Sequence, residues 1–86
     1  MIIYKYHITI TDTQTVQLPE GAFILSVAYQ GPQLCLWALV NPEKKVYPRT
    51  LEIFGTGHPM NSNYRKYICT VQDGSFVWHI FDSSTY

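Results

Sequence analysis

Apolar and polar residues alternate with a period of two along nearly the whole chain, and β-branched and aromatic residues recur within the alternating stretches. That period marks strands with one buried face, and no helical stripe of period 3.6 interrupts it. In residues 3–10, Tyr4, Tyr6, Ile8 and Ile10 share one face, with Lys5, His7 and Thr9 on the other. Thr11-Asp12-Thr13 breaks this run, and residues 15–18 form a short second one. Pro19-Glu20-Gly21 is turn chemistry. In residues 23–30, Phe23, Leu25, Val27 and Tyr29 oppose Ile24, Ser26 and Ala28, and Gly31-Pro32 turns the chain into a fourth run. That run, Leu34-Cys35-Leu36-Trp37-Ala38-Leu39-Val40, is apolar on both faces. It predicts a central strand covered on both sides, and it is too short to prefer a buried helix.

A charged loop, Asn41-Pro42-Glu43-Lys44-Lys45, precedes a fifth run at residues 50–54. The sixth and seventh runs, residues 67–72 and 76–81, flank Asp73-Gly74-Ser75, a good hairpin signal. The tail Asp82-Ser83-Ser84-Thr85-Tyr86 is expected to fray. The pattern predicts an all-β domain spanning residues 1–86, with about seven short antiparallel strands in a small β-sandwich or partly open barrel.

Composition sharpens the picture. The 86 residues make one domain with a modest core, and a 15 % aromatic content helps fill it. Charged residues make up 14 % and the formal net charge is zero, which argues against a nucleic-acid grip built on clustered Lys and Arg. The same balance favours association, so a homo-oligomer or a partner complex is expected. Cys35 and Cys69 lie inside apolar runs and read as buried thiols rather than as zinc ligands or a disulfide. The start, Met1-Ile2-Ile3-Tyr4-Lys5-Tyr6, lacks a signal-peptide pattern, and no apolar run approaches the roughly 20 residues that cross a membrane. A cytoplasmic protein is expected.

One segment departs from the alternation: Gly55-Thr56-Gly57-His58-Pro59-Met60-Asn61-Ser62-Asn63-Tyr64-Arg65-Lys66. Long connections in small domains are uncommon and often functional. Here Gly55, Thr56, Gly57 and His58 suggest a backbone cradle for an anion, with Arg65 and Lys66 supplying charge and Tyr64 a stacking ring. These seven residues are the candidate ligand site, suited to a nucleotide-type signalling molecule. The plainer reading is a wide turn that needs glycine for its geometry. His58 also suits a general base, although a His that merely bonds within the loop fits as well. His79 shares a face with Val77 and Phe81 and reads as a satisfied His on a largely apolar face. No nucleophile-elbow sequence, carboxylate pair or local metal spacing stands out, so no catalytic residue, metal or cofactor is assigned.

The chain resembles a family of small uncharacterised proteins encoded mainly by bacteriophages and prophages. The likeness rests on Leu18-Pro19-Glu20-Gly21-Ala22, Leu36-Trp37-Ala38-Leu39-Val40, Phe54-Gly55-Thr56-Gly57-His58-Pro59 and Phe76-Val77-Trp78-His79-Ile80-Phe81, in order along the chain. The resemblance implies a phage accessory protein in the host cytoplasm that acts by binding. Its partner would be a host defence protein or a nucleotide signal, with no nucleic acid or membrane involved. A virion structural or assembly role is the alternative, and a small hydrolase or isomerase using His58 stands behind both.

Overall fold

A computed structural model of the chain describes residues 1–84. Seven strands form in chain order: β1 (Ile2–His7), β2 (Thr13–Pro19), β3 (Phe23–Gln30), β4 (Gln33–Val40), β5 (Val46–Gly55), β6 (Lys66–Asp73) and β7 (Phe76–Asp82). All pairings are antiparallel. A three-stranded sheet runs β1-β4-β3 and a four-stranded sheet runs β2-β5-β7-β6. The two sheets face each other and do not close into a barrel. Leu34, Leu36, Ala38 and Val40 of β4 meet Val16, Leu18, Leu51, Ile53, Val71 and Ile80 from the other sheet in one core. β4 is the central strand of its sheet, as its two-sided apolar sequence predicts, but only its core face is fully covered: on the outer face Cys35 is buried while Trp37 and Leu39 are half-buried.

Two tight hairpins organise the layers. Gln30 pairs with Gln33 across Gly31-Pro32, and Asp73 pairs with Phe76 across Gly74-Ser75. Gly31 and Gly74 have φ near +60°, whereas among the described residues no non-glycine residue has positive φ. A glycine first and an ordinary residue second is the two-residue turn whose twist matches the flanking strands.

Three expectations need correction. β5 begins at Val46 rather than Thr50. A proline ordinarily ends a strand, yet Pro48 pairs in register with Gln17. In β3 a bulge between Ile24 and Ser26 shifts the alternation. Val27 and Tyr29 stay with the core, while Phe23 and Leu25 turn outward. The tail is pinned, not frayed, over its described part. Asp82 is buried, and Arg49 donates to its Oδ2 from both Nε and Nη2. Arg49 Nη1 also donates to Ala22 O at 2.9 Å, and Thr50 N donates to Ser84 Oγ at 2.6 Å. The expectation for Thr85 and Tyr86 lies outside the described residues.

Where the sheets meet on one side, β3 lies along β6 without a ladder. Cys69 Sγ donates to Val27 O at 3.3 Å, and Tyr29 OH donates to Asp73 Oδ2 at 3.2 Å. β6 carries its own bulge between Tyr67 and Cys69, opposite the one in β3. The cysteines are free thiols, Cys35 buried and Cys69 half-buried. Burial pushes the Cys69 thiol above its ordinary pKa, and the bond to Val27 offsets only part of that.

Candidate functional site

The loop of residues 56–65 leaves the end of β5 and lies beside the outer face of β5, β7 and β6. Its first turn is closed by His58 N donating to Gly55 O at 3.1 Å. Gly57, at φ +87°, supplies the left-handed residue of that turn. At Gly55 the constraint is space rather than φ. The His58 ring packs on its Cα so closely that an added Cβ would stand 2.8 Å from Cε1.

Arg65 holds the rest of the loop. Its Nε donates to Glu52 Oε1 at 2.9 Å and its Nη2 to Oε2 at 3.3 Å, a forked ion pair with the outer face of β5. Its remaining N–H groups reach Asn61 O, Asn63 O and Asn61 Oδ1. A guanidinium has five N–H groups, and here each has an acceptor. The guanidinium also lies 5.0 Å from the Phe54 ring centroid. Phe54 meets Phe81 edge-on at 5.9 Å, and Phe81 meets Tyr67 at 5.5 Å. These rings form an aromatic ledge beside the loop.

Next to the ledge runs a line of polar side chains. Thr56 Oγ1 lies 2.7 Å from His79 Nε2, and His79 Nδ1 lies 3.0 Å from Thr70 Oγ1. Tyr67 OH closes the line on Thr70 Oγ1 at 2.7 Å. A hydroxyl can donate or accept, so both imidazole tautomers are satisfied between the two threonines. The reading of His79 as a satisfied His agrees with this arrangement.

The structure therefore brings together only part of the predicted cradle. Gly55, Thr56, Gly57 and His58 form a tight turn in which the His58 amide is already committed. Of the two glycines, only Gly57 takes positive φ. Arg65 is a staple inside the loop, not a clamp open to an anion. Lys66 separates from it: its Nζ sits 5.2 Å from the Phe23 ring, beside a cleft of about 260 Å3 that Leu25, Tyr67 and Ile68 also line. Tyr64 is 84 % exposed. Among the described residues no three His, Cys, Asp or Glu side chains group as metal ligands. Among these residues no helix is long and apolar enough to cross a membrane.

Sequence reasoning missed Glu52, Phe54, Phe81 and Thr70. The signal was present in the alternation, which puts Glu52 and Phe54 opposite Leu51 and Ile53 on β5, and Phe81 opposite Ile80 on β7. An outward Phe on each of two neighbouring strands needs a cover or a partner.

A family model described as a domain of unknown function, DUF7352, matches residues 1–85. The chain belongs to this family. No curated protein matches the chain. No solved structure matches it either. In this DUF7352 domain the site must thus be read from its own geometry.

Proposed function

We propose that the domain is a non-catalytic binding protein whose partner is another protein, contacted through the loop of residues 56–65 and the aromatic ledge beside it. One observation carries the reading: Arg65, the strongest anion-binding group in the loop, has every donor bonded internally, while Tyr64 and Tyr67 remain exposed. A loop stiffened from within that presents tyrosines suits a protein partner, because little side-chain entropy is lost on docking. It suits a nucleotide less well, since the charges meant for phosphate are engaged or turned away. Within the phage resemblance this reading corresponds to an inhibitor of a host defence protein, acting in the cytoplasm. A virion assembly role would use the same surface against a capsid or tail protein.

The test places a photo-crosslinking amino acid at Tyr64 or, as control, at Lys44. Lys44 lies in the loop before β5, whereas Tyr64 adjoins Arg65, which is bonded to Glu52 further along that strand. A discrete protein adduct from Tyr64 in cells, absent from Lys44 and lost with Tyr67→Ala, is the expected result. Equal labelling from both positions would count against this surface. Native mass spectrometry with a filtered small-molecule extract separates the nucleotide version, which requires a discrete added mass.

A further inference from the structure

The two sheets have unlike free edges. In the four-stranded sheet, β2 is the outer strand; it exposes Thr13, Thr15 and Gln17 and ends in Pro19. Polar residues and a terminal proline are ordinary protection against edge-to-edge pairing. The outer strand of the other sheet is β1, and it is apolar and uncovered: Ile2 is 46 % exposed, Ile3 57 % and Tyr4 40 %. Ile2 and Tyr4 point to the same side as the core residues Tyr6 and Ile8. They are open because, among the described residues, no further strand flanks β1.

The direction of β1's backbone groups follows from its pairing with β4. Ile8 N donates to Leu34 O at 3.1 Å, continuing the register in which His7 faces Cys35. Antiparallel pairs alternate between bonded and non-bonded. Tyr6, Tyr4 and Ile2 are therefore the residues bonded to β4. The N–H and C=O groups of Ile3, Lys5 and His7 point away from it, along the free edge.

We propose that this edge pairs with the β1 edge of a second copy, antiparallel about a two-fold axis, to give a continuous six-stranded sheet. In such a pair, opposed residues lie on the same side of the sheet, which leaves few registers. One of them sets Lys5 against Lys5, and like charges directly opposed are unfavourable. The register that sets Tyr4 against Tyr4 avoids this. Ile3 then exchanges both backbone bonds with the second copy's Lys5, and Ile2 lies against the second copy's Tyr6. The half-exposed Ile2 and Tyr4 become covered on the core side; on the outer side Ile3 faces the second copy's Lys5, whose ammonium is held by Gln30 Oε1 at 2.7 Å. Zero net charge on the chain sets no long-range repulsion against the pairing. The occupant is a second copy because the strand complements itself in both side chains and backbone.

Sedimentation equilibrium over a micromolar-to-millimolar series tests this on the full chain. The expected result is a reversible dimer that Ile3→Pro weakens by about tenfold or more. Proline there removes an N–H that β4 does not use, so circular dichroism should show the fold retained. Oxidised Tyr4→Cys should trap a covalent dimer linked through position 4, and Lys5→Cys should not. Facing side chains of a non-bonded pair sit roughly 4.5–5.5 Å apart at Cβ, near disulfide range. A monomer throughout the series overturns the proposal. So does a dimer indifferent to Ile3→Pro, or one trapped by Lys5→Cys instead.

Discussion

Arg65 binds the loop of residues 56–65 to β5 through Glu52 and supports it through Asn61 and Asn63. Removing it should act on order before charge. Arg65→Ala is expected to destabilise by about 1.5–3 kcal/mol, the range for charge-assisted hydrogen bonds, and to open residues 56–64 to limited proteolysis. Arg65→Lys should not rescue it, because an ammonium cannot make the fork with Glu52. Chemical unfolding and protease digestion of both variants check this. The two glycines separate in the same way. Gly57→Ala forces positive φ on an L-residue and should cost about 1–2 kcal/mol. Gly55→Ala meets only the far atoms of the His58 ring, which can swing away, so its cost should be smaller. A urea midpoint lower for Gly55→Ala than for Gly57→Ala would contradict these assignments.

At the scale of elements, most strands were legible because one buried face imposes a period of two. What escaped were features that depend on a neighbour. The β3 bulge sits opposite the β6 bulge at a seam that no local sequence reveals. β5 runs through Pro48 because β2 lies alongside it in register. The tail is held because Asp82 meets Arg49, and the two are 33 positions apart in the chain. The glycine-marked loop was legible as an exception, but not its internal bonding, since Glu52 belongs to the strand before it. That tail contact carries a prediction. Asp82→Ala takes the carboxylate from the half-buried Arg49 guanidinium, which keeps only its bond to Ala22 O, and should cost about 3 kcal/mol, the low end for a buried pair, whereas exposed Asp12→Ala should be nearly neutral. The seam carries another. Burial first, then the hydrogen bond and charge of Asp73, raise the Tyr29 hydroxyl above its ordinary pKa. Burial, and then Tyr4, raise Tyr6 in the same direction. A raised folded-state pKa gives stability that is fully present below the unfolded value and is lost as pH rises through the folded one. Stability should hold to about pH 10 and decline above it, with Tyr29→Phe flattening part of the decline. Urea midpoints across that range would show it.

The whole molecule is two sheets joined firmly in the core and more lightly at the β3–β6 seam, and its two thiols report on the two regions separately. Cys35 lies on the central strand, fully buried, so a reagent reaches it only when the three-stranded sheet itself opens. Cys69 is half-buried at the seam, and its bond to Val27 O breaks if β6 merely parts from β3. Its thiol is also held protonated by burial, so accessibility alone does not make it reactive at neutral pH. In native buffer, iodoacetamide should therefore modify Cys69 faster than Cys35, and both more slowly than in urea. The Cys69 rate should rise with pH as thiolate forms, while the Cys35 rate should follow global stability and fall with any stabilising condition. Tyr29→Phe, which removes the tie to Asp73, should accelerate Cys69 and leave Cys35 nearly unchanged. Mass spectrometry of the two cysteine peptides over time resolves the rates. If both thiols react together in every variant, the seam does not open apart from the core, and the molecule unfolds as one unit.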